Sequence, residues 1–288
     1  MTQEPDPLAA VPPGPDWLFC PADRPERFPK AAAAAMSVIV DLEDGVDPAR
    51  KAAARGELGR AAQSVPDLSR LIVRVNPVDS PEHHADLLAL RDHRLRTVML
   101  PKAESAAQLT GLTGFQVIAL CETPRGILEA ASIARAENCI ALMWGSEDLA
   151  AALGAASSRR EDGTLNSHAA FARNTVLYAA AAAGRLAIDA VYLDIGDLDG
   201  LAREAREAAE SGFDVKAVIH PSHCDVVRGA FTATPDQVRA AQRVVDAAAA
   251  STHGVFSLDG RHIDEPLVRQ ARRVLARDGT TAARSAER

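Results

Sequence analysis

Charged side chains close one short apolar run after another in this chain of 288 residues. Asp41, Glu43 and Asp44 follow SVIV, Glu122 follows FQVIALC, and Glu147 and Asp148 follow CIALMWGS. Asp194 and Asp197 close AIDAVYLDIGD, and His220 sits near the end of KAVIHPS. Arg74 and Asn76 end LIVRVN, and Lys102 ends TVMLPK. If those ends share a rim, carboxylates converge there with one arginine and one lysine. Crowded carboxylates repel, and a divalent cation resolves the repulsion. With oxygen ligands and no His or Cys set at zinc spacing, that cation is a hard one. Mg²⁺ takes one or two protein carboxylates and fills its remaining positions with water and substrate. Glu122 and Asp148 fall on adjacent runs and can meet around one ion. Arg74 can fork onto a substrate carboxylate or enolate oxygen. Asp41, Glu43 and Asp44 are the candidates for a base, and the sequence does not choose among them.

Each of these residues also has a plainer reading. Glu122 and Asp148 could form a salt bridge or cap a strand end. Arg74 could pair with Asp41 or Glu43. His220 reads as a satisfied histidine at a strand end, and His83-His84 as surface. Cys121 reads as a small buried hydrophobe. Arg159-Arg160 lies in a Ser/Gly/Asp turn that is ordinarily solvated, although its place after the sixth run leaves a phosphate or substrate role open.

The elements that would position these groups are legible. The apolar runs are WLFCP (17–21), SVIVDLED (37–44), LIVRVN (71–76), TVMLPK (97–102), FQVIALCET (115–123), CIALMWGSED (139–148), AIDAVYLDIGD (187–197) and KAVIHPS (216–222). They are short, nearly continuous and β-branched, as strands buried on both faces of a parallel sheet are. Asp47-Pro48, Ser80-Pro81 and Thr123-Pro124 each read as a capping side chain before Pro at the first helical position. Eight strands alternating with Ala-rich helices predict an α/β fold, a (β/α)8 TIM barrel, whose functional groups lie at the C-terminal strand ends. A doubly wound open sheet fits less well, because no GxGxxG follows the first strand. Residues 1–15 hold five prolines and little pattern, so a disordered or loosely attached tail is expected there. The barrel is expected over 16–233. Residues 234–288, with a Thr-Pro start, DQVRAAQRVVDAAAAS and EPLVRQARRVLARD, are expected to be a C-terminal helical extension packing on the barrel or on a neighbouring subunit.

Composition excludes several classes. A net charge of −7 lacks the cationic footprint that general nucleic-acid binding needs. No stretch approaches the roughly 18 uncharged apolar residues that span a bilayer, so no membrane role is expected. The N-terminus has neither a basic nor an apolar signal region. Cys20, Cys121, Cys139 and Cys224 show no metal spacing and read as buried thiols of a cytoplasmic protein.

The segments LFCPADRPERFPKA, VIVDLEDGV, VRVN, LPKAES, ETPRGI, WGSEDLAAALG and IHPS together resemble the citrate lyase beta-subunit-like (CitE-like) branch of the HpcH/HpaI aldolase family. SSRREDG and GRLAIDAVYLDI are closest to its stand-alone mycobacterial-type members. The resemblance implies Mg²⁺-dependent lyase chemistry on acyl-CoA thioesters, splitting a malyl-, citramalyl- or hydroxymethylglutaryl-type β-hydroxyacyl-CoA into acetyl-CoA and a 2-oxo acid. Thioester hydrolysis belongs to the same repertoire. By motif it implies Glu122 and Asp148 as metal ligands, Arg74 and Glu122 at the substrate, and Arg24 and Lys30 at the CoA. It further implies a homo-oligomer, a trimer. Two departures stand out. Cys20-Pro21-Ala22 replaces a common VPG, and His223 replaces the glutamine of IHPSQ. Other readings are a citrate lyase beta subunit acting on an acyl-carrier-protein thioester, a non-catalytic binder that keeps the metal site, and an aldolase acting on free 2-oxo acids.

Overall fold

The computed structural model describes residues 11–251 and 254–285. They fall into two compact units, Met1–Val227 and Arg228–Arg288. The first is a closed barrel of parallel strands in chain order: β1 (Asp16–Pro21), β2 (Ser37–Asp41), β3 (Leu71–Arg74), β4 (Thr97–Leu100), β5 (Gln116–Cys121), β6 (Cys139–Trp144), β7 (Leu186–Asp189) and β8 (Val215–Val218). Strand β8 returns to β1 through Trp17↔Ala217 and Leu18↔Val218, so no sheet edge is left open.

Strand side chains alternate between two apolar environments, which is why the runs carry so few polar residues. Trp17, Ile39, Ile72, Met99, Ile118, Ala141 and Ile188 fill the lumen. Val38, Val40, Val73, Val98, Val117 and Leu142, the residues between or beside them, are buried too, against the surrounding helices. The same parity continues upward. Two residues beyond Ile39 comes Asp41, two beyond Ile72 comes Arg74, and two beyond Leu120 comes Glu122. The top layer of the lumen is therefore charged.

Strands end sooner than the apolar runs. The chain leaves β2 at Asp41, so Glu43 and Asp44 belong to the following loop. Helix Ser146–Leu153 starts directly after β6 and carries Glu147 and Asp148 in its first turn. Strand β7 stops at Asp189, which places Asp194 and Asp197 in a loop rather than on a strand. There both act as caps: Asp197 accepts from the Gly200 N–H at 2.8 Å, and Asp194 from the Gly196 N–H at 2.9 Å. Thr123 caps its helix as expected, accepting from the Gly126 N–H at 3.0 Å. Ser80-Pro81 instead forms a turn, and the helix begins at His83.

Of the expected tail, residues 1–10 lie outside the described residues, whereas residues 11–15 are tied down. The Pro13 carbonyl accepts from Trp17 Nε1 at 2.8 Å and from Ser37 Oγ at 2.7 Å, and the Pro15 carbonyl from the Lys216 N–H at 2.8 Å. Prolines lack an N–H but keep this acceptor. The second unit holds helices Pro235–Ala250 and Glu265–Ser285, packed on each other, and a hairpin of β9 (Phe256–Leu258) with β10 (Arg261–Ile263). Its turn is Asp259-Gly260, both at positive φ (49° and 76°), as a two-residue hairpin turn requires. Among the described residues, no helix is long and apolar enough to cross a membrane.

One buried polar cluster sits on the outer face of β7 and β8. Lys216 is completely buried and donates to Asp189 (3.0 Å), Glu204 (2.9 Å) and the Ala190 carbonyl (2.8 Å). Asp189 also accepts from Trp144 Nε1 (2.8 Å) and Arg173 Nε (2.9 Å). Burial alone would push the Asp189 carboxyl up, yet Lys216 and Arg173 hold it down to about 2. Removing one member leaves another's charge buried and under-compensated. Asp189→Ala should therefore cost about 3–5 kcal/mol. The test is a urea midpoint followed through Trp17 and Trp144, both buried. An unchanged midpoint would show the cluster to be energetically idle.

Candidate active site at the C-terminal barrel mouth

Strand register builds the site before any side chain is considered. Asp41 lies opposite Arg74 in the β2–β3 ladder, and in parallel strands such partners share a face. Arg74 grips Asp41 through two bonds, Nε to Oδ1 at 2.7 Å and Nη2 to Oδ2 at 2.6 Å. Its Nη1 lies 3.1 Å from Glu43 Oε2, and its guanidinium rests over the Phe19 ring at 4.9 Å. Asp41 also accepts from the N–H groups of Glu43 and Gly45, each at 2.9 Å. A Cβ at Gly45 would collide with Asp41 Oδ2, which is why the VIVDLEDGV segment needs glycine there. Asp41 thus ties the β2 loop to Arg74. The plainer reading of Arg74, a pair for Asp41 or Glu43, is borne out for both at once. It does not exhaust the arginine, because only three of its five N–H donors are committed to these partners.

Lys102 supplies the second cation. Its Nζ lies 2.5 Å from Glu43 Oε1, 3.7 Å from Asp44 Oδ2, 3.7 Å from Asp148 Oδ1 and 3.9 Å from Glu122 Oε1. Its backbone is left-handed (φ 51°), and its N–H donates to Glu122 Oε1 at 3.1 Å. A non-glycine residue held there costs about 1–3 kcal/mol and marks a position that the surroundings dictate. The carboxylates are therefore not all in need of an added ion. Asp41 and Glu43 sit directly against cations of the protein, although burial still pushes the Glu43 carboxyl up, whereas Glu122 and Asp148 have only longer-range positive charge, from Lys102 and, for Glu122, also from Arg74.

Glu122 is 3% exposed, whereas the Asp148 side chain is 41% exposed. Gly145, beside Glu122 at the end of the neighbouring strand β6, must lack a side chain, since a Cβ would come within 2.8 Å of Glu122 Oε2. Burial pushes the Glu122 carboxyl up, and the charges of Asp148 and Glu43 push it further, to about 8. A pair of oxygen donors that disfavour each other's charge, one buried and one facing solvent, suits a hard divalent cation. No group of three or more His, Cys, Asp or Glu is arranged as a ligand cluster among the described residues. That leaves two carboxylates, the number Mg²⁺ commonly takes, with water and substrate completing its shell.

These groups border a cavity of about 740 Å³, large enough for a substantial organic ligand. Charged Asp44, Arg74, Glu122 and Asp148 line one part of it, and apolar Leu18, Leu120, Met143 and Val191 another. Arg27 and Lys30 also line it. Lys30 is one of the two cations assigned to CoA by resemblance. The other, Arg24, is half exposed, sits 3.8 Å from Asp23 and is not a wall residue. Arg27 was missed, although the segment DRPERFPK offers it three residues before Lys30. His220 lines the cavity with Nδ1 2.7 Å from Ser222 Oγ, a satisfied histidine at a strand end. Glu147 accepts from Ser146 and Ser158. Asn76 lies outside the wall and bonds Asp86 and the Leu42 carbonyl. Arg159 pairs with Glu204 at 2.7 Å and stacks over Tyr192. All four cysteines are buried, and none is in a disulfide.

The family model described as HpcH/HpaI aldolase/citrate lyase matches residues 17–221, which takes in all eight strands and this rim. The chain belongs to the HpcH/HpaI aldolase/citrate lyase family. Within it, the chain is 51% identical over 267 residues to the citrate lyase subunit beta-like protein of Mycobacterium tuberculosis (strain ATCC 25618 / H37Rv), covering 92% of this chain and 96% of that relative. It is 31% identical to the mitochondrial citramalyl-CoA lyase of Rattus norvegicus, covering 90% of this chain and 84% of that one. The fold matches the crystal structure of CitE from Mycobacterium tuberculosis in complex with magnesium, acetoacetate and coenzyme A. There the TM-score is 0.88 at 50% identity, covering 94% of this chain and 99% of that chain. For this HpcH/HpaI member, both the TIM-barrel fold and the family resemblance read from sequence hold.

The raised Glu122 value carries a sign. Between the ordinary carboxylate range and about 8 the folded protein holds a proton there that the unfolded chain does not. Its contribution to stability therefore falls as pH rises through that window. Comparing metal-free protein at about pH 6 and about pH 9, the wild type should lose more thermal stability than Glu122→Gln, and Mg²⁺ should restore the difference at the higher pH. Parallel pH profiles for the two proteins would contradict this electrostatic picture.

Proposed function

We propose that this protein is a Mg²⁺-dependent carbon–carbon lyase acting on short β-hydroxyacyl-CoA thioesters of the malyl, citramalyl or hydroxymethylglutaryl type. The products are acetyl-CoA and an oxo acid, a 2-oxo acid from the malyl and citramalyl esters and a 3-oxo acid from the hydroxymethylglutaryl one, and thioester hydrolysis is a second outcome open to the same site. The observation that carries this reading is the paired Glu122 and Asp148 beside the Arg74–Asp41 fork on one cavity wall. The relatives' names and the magnesium, acetoacetate and coenzyme A of the matched CitE complex support it.

Glu122 and Asp148 would hold the metal. When bound, it supplies Lewis acidity toward the β-hydroxyl and carboxylate oxygens of the substrate. The remaining steps belong to the protein. Asp41 holds the Arg74 guanidinium in one orientation, so the free N–H donors meet the substrate carboxylate without first being ordered. Fixed positive charge of this kind, aimed where oxyanion character develops, is worth about 3–4 kcal/mol in comparable sites. Of the three carboxylates put forward as base, Asp41 is held by both arms of Arg74 and Glu43 is engaged by Arg74 and Lys102, whereas Asp44 lines the cavity with only a 3.7 Å contact to Lys102. We therefore assign the proton transfer to Asp44. It takes the β-hydroxyl proton as the carbon–carbon bond breaks and returns it to the acetyl carbon, so the step balances without another reactant. Lys30 and Arg27 on the wall, with exposed Arg24 nearby in sequence, offer the positive charge that CoA phosphates need.

We read the chain as cytoplasmic, in keeping with four cysteines outside any disulfide, and as a homotrimer by family resemblance. Leu128, Phe171 and Tyr178, exposed on helices Pro124–Leu128 and Ser167–Ala183, offer apolar surface for such a contact.

The test offers malyl-CoA, citramalyl-CoA and a citryl acyl-carrier-protein thioester to the purified protein with and without Mg²⁺, reading products by mass. We expect acetyl-CoA and an oxo acid from a CoA ester only with Mg²⁺, and a fall of about 100-fold or more in kcat for Glu122→Gln. Turnover of the carrier-protein thioester alone, or full activity in Glu122→Gln, would overturn the reading.

A further inference from the structure

Lys102 is placed where the metal reading would put a cation. Its ammonium is within 4 Å of an oxygen from each of four carboxylates, Glu43, Asp44, Glu122 and Asp148. Those four come from two separate parts of the rim, the loop after β2 and the ends of β5 and β6. An ordinary surface lysine pairs with one partner and gains little. Here a left-handed backbone at Lys102 aims the main-chain N–H at Glu122 while the side chain reaches across to Glu43.

We propose that Lys102 is the resident counter-ion of the Glu122–Asp148 pair, holding the two carboxylates in place without a divalent cation and ceding them when one binds. This rests on the metal reading above and adds a residue to it. Three features make the exchange workable. First, the contacts to be ceded are the long ones, 3.9 Å and 3.7 Å, whereas the 2.5 Å contact to Glu43 lies away from the pair and can be kept. Second, Glu122 stays oriented throughout by the Lys102 N–H, which the ammonium's movement does not disturb. Third, the Lys102 side chain is 34% exposed and has a flexible stem, unlike the fully enclosed Lys216. The cost is that the ammonium repels the arriving cation. Lys102 thus keeps the empty mouth assembled and the metal exchangeable.

The experiment compares wild type with Lys102→Met, which keeps the length of the side chain and removes its charge. Mg²⁺ affinity is measured by calorimetry and thermal midpoints are taken without metal. Lys102→Met should bind Mg²⁺ about tenfold more tightly or better, because a like charge close to the ion is gone. Its metal-free form should melt lower than the wild type. Equal or weaker Mg²⁺ binding by the folded variant overturns this inference alone and leaves the metal reading standing. No Mg²⁺ binding by either protein overturns both. If the variant does not fold without metal, refolding in excess Mg²⁺ decides: recovered circular dichroism supports the counter-ion role, and no recovery contradicts it.

Discussion

The constraint on which the rest depends is the charge balance at the open end of the barrel. Asp41, Glu43, Asp44, Glu122 and Asp148 meet there, and the cations in contact with them among the described residues are Arg74 and Lys102. Buried carboxylates persist only when paired or neutralised. Arg74 satisfies Asp41 fully and Glu43 in part, and Lys102 leans toward Glu43. The imbalance falls on Glu122 and Asp148, and Glu122 responds by holding its proton toward pH 8. A site that carries this debt is poised for a cation, and a bound cation is in turn poised for an oxygen-rich anion. The proposed metal site and substrate class rest on one electrostatic deficit.

The barrel makes that deficit tolerable. The lumen layers directly below the rim are apolar, from Trp17 and Ile39 to Leu120 and Met143. The strand-end charges Asp41, Arg74 and Glu122 therefore rest on a packed floor. The outer faces of β7 and β8 carry a dense polar cluster, around Asp189 and Lys216, and there positive and negative groups are matched. The contrast separates a structural ion network from a functional one. In the first, Asp189 is driven down; in the second, Glu122 is driven up.

Much of this was legible in the residues. Continuous β-branched runs gave eight strands because strands covered on both faces have no polar side to show. The residues closing those runs named Arg74, Lys102, Glu122 and Asp148; parity places Arg74 and Glu122 on the lumen axis, and Lys102 and Asp148 reach it from the turn and helix that follow their strands. What escaped was set by side-chain reach and by turn chemistry. Periodicity does not reveal that Asp41 takes both arms of Arg74, that Glu43 is occupied while Asp44 lines the cavity, or that Lys102 spans the mouth. Asp194 and Asp197 were drawn into a strand by the apolar AIDAVYLDI, although Asp-x-Gly-Asp is also a loop and cap signature. The hairpin around Asp259-Gly260 had a signal, the Asp-Gly turn, that lay unused between two helices. The anchored Pro13 and Pro15 had none, because a carbonyl acceptor leaves no trace in composition.

The central claim is that Glu122 and Asp148 grip one hard cation facing Arg74. The most direct measurement is anomalous scattering from crystals grown with Mn²⁺ in place of Mg²⁺. The account predicts a single strong peak bonded to both carboxylates at about 2.1 Å, with water filling the remaining positions. A peak held elsewhere, or none at full Mn²⁺ occupancy of the crystal solution with those two side chains turned apart, would contradict it.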